Sequence, residues 1–196
     1  MSALSSIAVY CGSRTGGDSR FTEAALAVAD FLVDRDMTMV NGGGSIGLMG
    51  VMTDRILSRG GKAIGVIPLA LKEKEVAHLG MTELLVVPDM HARKLTIVNL
   101  SDAFVALPGG FGTLDELFET LTWSQLHLHN KPVGLLNVDG YYDPLLQMID
   151  EMVGHGFVRE DSRRLLHAAD SIDQLLHAME HAGQLSSRIS SVRAGH

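Results

Sequence analysis

Short apolar runs alternate along the chain with longer segments in which apolar residues recur every three or four positions. Runs that are apolar throughout predict buried strands, and the longer spacing predicts amphipathic helices between them. Six strands are predicted, in the runs "SSIAVYCGS", "MTMVNGGG", "KAIGVIP", "TELLVVP", "DAFVALPGG" and "KPVGLLNV".

The segments between these strands have helical spacing and end at glycine or proline. The predicted helices run from Ser19 to about Asp34, over "IGLMGVMTDRILSRGG", from Asp89 to about Leu100, from Thr113 to about His127, from Asp143 to His155 and from about Arg159 to Ala182. Apolar strands separated by helices indicate an α/β fold, a single Rossmann-like doubly wound parallel sheet with helices on both faces. We expect one domain over residues 1–183 and a flexible polar tail over residues 184–196.

Composition places the chain among globular proteins of the cytoplasm. Its 196 residues suffice for one domain with a sizeable core, and it is 46% hydrophobic and 20% charged. No apolar run approaches the roughly 20 residues that cross a bilayer, and no basic region precedes the first apolar run. Cys11 is the single cysteine, so an internal disulfide is excluded and a reducing compartment is expected.

The formal net charge of −7 argues against nucleic acid as a partner. It does not exclude a small anion, because the N-terminus of a helix provides a local positive field. Ligands of doubly wound folds bind beyond the carboxyl ends of the strands. Four such ends carry glycine or charge here, in "CGSR", "NGGGSIGLMG", "PDMHARK" and "PGGFGTLDE".

The glycines of the second loop match the motif G-x-G-x-x-G at Gly42, Gly44 and Gly47. In dinucleotide-binding proteins the motif follows the first strand, with an acidic residue about 20 positions later. Here it follows the second strand, and no acidic residue occurs between Asp54 and Glu73. A dinucleotide is therefore disfavoured. Tight turns that need positive φ, and close approach of an anion or sugar, both remain as explanations of these glycines.

The loop Pro108–Thr113 has the features of a phosphate site, because bare glycines and a following helix direct backbone N–H groups at an anion. Glu116 has two interpretations. Thr113 and Glu116 match the helix capping box S/T-x-x-E, which is purely structural. Alternatively, the carboxylate acts on a ligand held by the loop. Arg93 and Lys94 oppose the dipole of their helix, and a bound phosphate or a nearby carboxylate would relieve this.

Three motifs, "GGGSIGLMG", "MHARK" and "PGGFGTLDE", in this order and spacing, resemble the LOG ("lonely guy") proteins. These are cytokinin riboside 5′-monophosphate phosphoribohydrolases, often described as lysine decarboxylases. The resemblance runs from about Val9 to Phe157 and includes "VYCGSR" and "TWSQLHLHNKPVGLLNVDGYYDPLL". It implies a homodimeric Rossmann-like hydrolase without cofactor. Such an enzyme cleaves the N-glycosidic bond of an adenosine 5′-monophosphate, N6-prenylated or plain, into free base and ribose 5-phosphate.

The resemblance also implies the site residues. The catalytic pair would be Arg93 and Glu116. The substrate-binding residues would be Glu75, Arg93, Lys94, Gly110, Phe111, Gly112, Thr113, Leu114, Asp115, Glu116 and Thr122, and the same pocket would be lined by Ser13, Gly43, Gly44 and Ser45. The chain departs from the usual LOG pattern at Asn41, Leu95, Thr96, Ile97 and Phe111, which bears on base selectivity and on the dimer surface.

Other functions are weaker interpretations of the same residues. A carrier of a nucleotide or of the molybdenum cofactor needs the glycine loops but not Arg93 together with Glu116. A lysine decarboxylase needs pyridoxal phosphate on a lysine, and neither Lys62 nor Lys94 lies in a motif of that kind. The histidines are expected on the surface and no metal is assigned, because no third ligand converges on the pairs His127 with His129 and His177 with His181.

Overall fold

The computed structural model describes residues 4–72 and 77–181. Over these ranges the chain forms seven strands in one parallel sheet of order β4-β3-β2-β1-β5-β6-β7. The strands are β1 (Ser6–Tyr10), β2 (Thr38–Asn41), β3 (Lys62–Pro68), β4 (Glu83–Val87), β5 (Ala103–Ala106), β6 (Val133–Leu136) and β7 (Leu166–Ala169). The six predicted strands are confirmed. The order reverses between β1 and β5, which is the point where such sheets bind ligands.

The helices cover both faces of the sheet, as predicted. They are α1 (Ser19–Asp34), α2 (Gly47–Ser58), α3 (Leu69–Lys72), α4 (Met90–Leu100), α5 (Phe111–Gln125), α6 (Asp143–Gly154), α7 (Glu160–Arg163) and α8 (172–181). One buried cluster joins α1, α2 and α8 to alternate strand residues such as Ile7 and Met39. A second joins α4, α5 and α6 to the opposite strand positions, such as Ala8 and Val40. None of these helices has the length and apolarity needed to cross a membrane.

The predicted helix from about Arg159 to Ala182 is wrong in its middle. The segment forms the short helix α7, then strand β7, and only afterwards α8. Leu166–Ala169 pairs in parallel register with β6, with Leu135 opposite Ala168. Four residues are too few to show a strand period, so the helical spacing of their neighbours dominated the sequence pattern. Pairing with the edge of the sheet overrides that local preference. The predicted tail, 184–196, and the domain boundary at residue 183 lie outside the described residues.

The loops that leave β1, β2 and β5 pack against one another at one rim of the sheet. The Gly12 backbone N–H donates to the Pro108 carbonyl oxygen at 3.2 Å, and the Leu48 N–H donates to Gly12 at 3.1 Å. Gly47 has φ +64° and lies so close to Ser13 that any side chain there would overlap the backbone. The fold therefore brings the predicted glycine loops together before any ligand is considered.

Candidate active site

The N-terminus of α5 is an open part of this rim. Gly110 is the N-cap, with φ −101° and ψ −151°, and α5 begins at Phe111. A Cβ atom added at Gly110 or at Gly112 would have no heavy atom within 4 Å, and Phe111 between them is 93% exposed. The first four N–H groups of a helix have no partner within the helix. This turn therefore offers donors to a ligand without a covering side chain.

The preceding residue, Gly109, is a glycine for a different reason. A side chain there would overlap Thr113, and its Cβ would lie 2.9 Å from the Gly12 nitrogen. Thr113 is 3% exposed and is the third residue of α5, not its cap. The predicted capping box from Thr113 to Glu116 is therefore wrong. The helix starts two residues earlier, with a glycine N-cap whose carbonyl accepts the Leu114 N–H at 3.1 Å.

Arg93 is a buried cation, 7% exposed. Its Nε donates to the Val66 carbonyl at 3.1 Å, and its Nη2 donates to the Gly42 carbonyl at 3.4 Å. A Cβ atom at Gly42 would overlap Nη2, so the guanidinium occupies the place that a side chain would fill. These two carbonyl groups, in β3 and directly after β2, fix the orientation of the Arg93 side chain. Arg93 itself lies in the first turn of α4, whose N-cap is Asp89.

Glu116 and Arg93 form an ion pair. Glu116 Oε1 lies 3.7 Å from Arg93 Nη1, and their side chains are 14% and 8% exposed. Burial, together with the charge of Glu116, raises the pKa of the Cys11 thiol to about 12. The thiol therefore stays protonated near neutral pH and is not a nucleophile. The structure brings together the two residues that the resemblance names as catalytic.

Lys94 links the two helices that carry this pair. Its Nζ lies 3.2 Å from Asp115 Oδ2 and 3.1 Å from Glu119 Oε2, both on α5. Burial lowers the pKa of Lys94, but hydrogen bonds to Glu119 and Asp115 outweigh it and raise that pKa above its ordinary value. A charged lysine between two carboxylates is a poor imine-forming amine. Lys62 begins β3, at the end of the strand opposite the glycine loops. Neither lysine fits pyridoxal phosphate in this site.

The loop after β2 is organised by Asn41, which the sequence analysis treated only as a departure from the LOG pattern. Asn41 is 1% exposed; its Oδ1 accepts the Gly43 N–H at 2.8 Å, and its Nδ2 donates to Thr53 Oγ1 at 3.2 Å. Gly43 has φ +78°, and Gly44 N–H donates to the Met49 sulfur at 3.2 Å. The sequence signal for this role was the position of Asn41, a polar residue at the end of an apolar strand and directly before three glycines.

A cavity of about 590 Å³ lies beside the N-terminus of α5. Of the predicted site residues, Ser13, Gly110 and Phe111 line it, whereas Arg93 and Glu116 do not. Further residues of the loop after β1, of α1 and of the β6–α6 connection were not predicted, and they are Arg14, Thr15, Gly16, Phe21 and Tyr141. The run "CGSR" and the tyrosines of "NVDGYYDPLL" were the signals for two of these segments.

The remaining predicted residues lie at different distances from the pair. Ser45 is half-buried in the loop after β2, and Leu114 packs against the cluster under α4, α5 and α6. Thr122 donates its hydroxyl to the Phe118 carbonyl at 2.7 Å. It lies six residues beyond Glu116, about 9 Å along the axis of α5. Glu75 lies outside the described residues.

Similarity to known proteins fits this geometry. A family model described as "Possible lysine decarboxylase" matches residues 49–179. The "Probable cytokinin riboside 5'-monophosphate phosphoribohydrolase LOGL1" of Oryza sativa subsp. japonica is 48% identical over 174 residues, which are 89% of this chain and 78% of the relative. The "Cytokinin riboside 5'-monophosphate phosphoribohydrolase LOG2" of Arabidopsis thaliana is 46% identical over 89% of this chain and 82% of the relative.

Solved structures that resemble the chain share its fold at low sequence identity. The molybdenum cofactor binding protein of Rippkaea orientalis aligns with a TM-score of 0.64 and 21% identity, over 96% of this chain and 99% of that one. The molybdenum cofactor carrier protein of Chlamydomonas reinhardtii aligns with a TM-score of 0.67 and 20% identity, over 94% and 99%. Identity to the plant proteins is more than twice as high, and the family model covers over half of the sequence. The chain belongs to the LOG family, whose family model carries the description "Possible lysine decarboxylase".

Proposed function

We propose that the protein hydrolyses the N-glycosidic bond of an adenosine 5′-monophosphate, N6-prenylated or plain, and releases the free base and ribose 5-phosphate. The observation that carries the proposal is the ion pair of the buried Arg93 with Glu116, which lies on α5, the helix whose N-terminus is open. The curated LOG relatives have this activity in their names. A carrier would need the open glycines but would gain nothing from a carboxylate paired with Arg93.

The 5′-phosphate is proposed to bind at the N-terminal turn of α5. Helix N-termini attract anions through their free N–H groups and dipole. The glycine loops and the pair would complete the substrate site, with contributions from Ser13, Gly43, Gly44, Ser45, Glu75, Arg93, Lys94, Gly110, Phe111, Gly112, Thr113, Leu114, Asp115, Glu116 and Thr122. The phosphate contacts would bind the substrate equally in the ground state and in the transition state, with the ribose beside Glu116.

Glu116 is proposed to act on the sugar. Breaking the bond between C1′ and N9 builds positive oxocarbenium character on the ribose, which a neighbouring carboxylate stabilises. Glu116 would also accept a proton from water as the water oxygen bonds to C1′. The bonding electron pair leaves with the base, which takes up a proton. Arg93, fixed by two carbonyl groups, would hold the Glu116 side chain in place.

The test is a panel of substrates with the purified protein, followed by chromatography of the free base. We expect base release from AMP and from N6-isopentenyl-AMP. We expect none from adenosine or N6-isopentenyladenosine, because these lack the phosphate. Absence of base release from both nucleotides, with the protein folded by circular dichroism, would reject the hydrolase in favour of a carrier.

We further propose that the protein is a homodimer that works in the cytoplasm. In support, apolar side chains are exposed on the adjoining helices α4 and α5, with Leu95 at 50% and Phe118 at 37%. Burying such side chains against a second copy removes apolar surface from water. The single buried cysteine fits a reducing compartment. Light scattering of the protein and of a Leu95→Asp variant tests the dimer; equal masses for both would contradict this interface.

A further inference from the structure

The connection from β6 to α6, residues 137–143, is a tight turn that packs against the glycine loop after β5. Its geometry is fixed from within. Asn137 Oδ1 accepts the Tyr142 N–H at 2.8 Å, and Asn137 Nδ2 donates to Asp143 Oδ1 at 2.7 Å. Asp139 and Gly140 have φ of +49° and +72° and close the turn. The turn presents two adjacent tyrosines to the loop that bears the proposed phosphate site.

The two tyrosines hold two carbonyl groups of that loop. The Tyr142 hydroxyl donates to the Leu107 carbonyl at 2.7 Å from a buried position. The Tyr141 hydroxyl donates to the Gly109 carbonyl at 2.7 Å, and Tyr141 is 43% exposed. Of these two tyrosines, Tyr141 lines the cavity beside α5 and Tyr142 does not.

The ring of Tyr141 is itself fixed by edge-to-face contacts. Its centroid lies 4.8 Å from that of Tyr142 and 5.5 Å from that of Phe21 on α1, with interplanar angles of 82° and 76°. Contacts of this kind restrict the ring beyond the effect of burial alone. The hydroxyl is therefore a fixed donor, although the residue lies at the surface of a cavity.

The Gly109 carbonyl belongs to the peptide group between Gly109 and Gly110. A trans peptide directs its C=O and its N–H in opposite directions. A peptide flanked by two glycines also meets little steric resistance to rotation as a unit. Rotation of this peptide would exchange the Gly110 N–H, a donor to an anion, for a carbonyl oxygen that repels one.

We propose that Tyr141 is a positioning residue for phosphate binding: its hydroxyl fixes the Gly109 carbonyl, so that the Gly110 N–H faces the substrate phosphate. This inference rests on the proposed function, since it concerns how the same site binds its anion. Tyr141 acts through the backbone of the loop and takes no part in breaking the glycosidic bond.

The test compares Tyr141→Phe with Tyr142→Phe, because each substitution removes one hydroxyl and keeps the ring. For Tyr141→Phe we expect KM for AMP and the inhibition constant of inorganic phosphate to rise together, about five- to tenfold, the typical net effect of one hydrogen bond. kcat should change less than twofold, since phosphate is held equally in the ground state and the transition state. Tyr142→Phe should lower the melting temperature more and change both constants less than twofold.

Three outcomes separate the possibilities. If the parental protein releases base from neither AMP nor N6-isopentenyl-AMP, the proposed function fails and this inference fails with it. If the parental protein is active and Tyr141→Phe leaves the phosphate inhibition constant unchanged, the inference alone is wrong. If both variants weaken phosphate binding equally, the tyrosines merely support the loop and the inference is likewise overturned. Thermal melting of each variant identifies any change that reflects unfolding instead.

Discussion

The two glycine loops of the rim look alike in sequence but are built for opposite purposes. In the loop after β2, Gly42 makes room for the guanidinium of Arg93, and Gly47 makes room for the backbone of Ser13. At the start of α5, Gly110 and Gly112 face open space. The first loop uses missing side chains to pack protein atoms closely, whereas the second leaves a helix end uncovered. The second loop therefore provides the uncovered helix end to which the phosphate is proposed to bind.

The largest expected effect lies at Glu116. It pairs with Arg93, which packs over Gly42, and it lies on α5, the helix that begins at the open loop. Glu116→Gln should lower kcat for AMP by about 100-fold or more, the usual loss when one electrostatic stabiliser of a transition state is removed. The free energy of unfolding should also fall, because the variant leaves the buried Arg93 guanidinium without this carboxylate partner. Steady-state kinetics and urea unfolding of the same preparation measure both.

Glu119→Gln is the matched control for this change. Glu119 lies one turn further along α5, and its carboxylate pairs with Lys94 instead of Arg93. Its kcat should stay close to the parental value, because Lys94 keeps a second carboxylate partner in Asp115. Equal loss of kcat in both variants would contradict a special role for Glu116.

Gly42→Ala tests the packed loop. The added methyl group would overlap Arg93 Nη2, so either the arginine or the loop must move. We expect a loss of about 1–3 kcal/mol in the free energy of unfolding, as for other overpacked sites. Activity should fall more than tenfold, because Arg93 can no longer keep both its carbonyl contacts and its place beside Glu116. A variant with parental stability and activity would show that this close approach is not required.

Gly110→Ala is the complementary test of the open loop. Its Cβ would meet no protein atom, so the free energy of unfolding should stay within about 0.5 kcal/mol of the parental value. The methyl group would instead stand in the path of a phosphate, and KM for AMP should rise about tenfold or more, equivalent to about 1.4 kcal/mol. If stability falls while KM is unchanged, the contrast between the two loops is wrong.

The smallest expected effect is a change of the free energy of unfolding with pH, caused by the buried thiol of Cys11. Burial raises the pKa of Cys11 to about 12 in the folded protein, against about 8.5 for an unfolded thiol. The stability linked to a raised pKa is fully present below the unfolded value and is lost as the pH rises towards the folded value. The free energy of unfolding should therefore fall by about 1 kcal/mol between pH 8.5 and pH 9.5. In Cys11→Ala this fall should be smaller by that amount in urea titrations; an identical slope would refute the assignment.

Much of the fold could be predicted from the sequence because burial on both faces makes the strands apolar throughout. β7 escaped because four residues at the edge of the sheet show no period, and pairing with β6 decides their structure. The start of α5 escaped for a related reason. Its N-cap is a glycine, which has no side chain to indicate a cap. The sequence therefore predicted Thr113 as the cap, although Thr113 is buried inside the helix.

The candidate site was predictable where residues follow each other along the chain. The motifs containing Arg93 and Glu116 could be recognised, but their 3.7 Å separation comes from the packing of α4 beside α5. Asn41 and Tyr141 act on backbone groups of glycine loops, and Tyr141 reaches Gly109 across 32 positions of sequence. Contacts of that kind depend on sheet order, which local spacing does not encode.

The close fit of Arg93 over Gly42 also constrains how the sequence can drift. A side chain at position 42 is excluded only while the Arg93 guanidinium lies over it. We therefore expect residues 42 and 93 to change together in evolution. Homologues that retain the arginine should retain a bare residue at 42. Homologues without the arginine should carry alanine or serine at position 42. A change at both positions in an alignment would therefore indicate homologues that no longer catalyse the reaction.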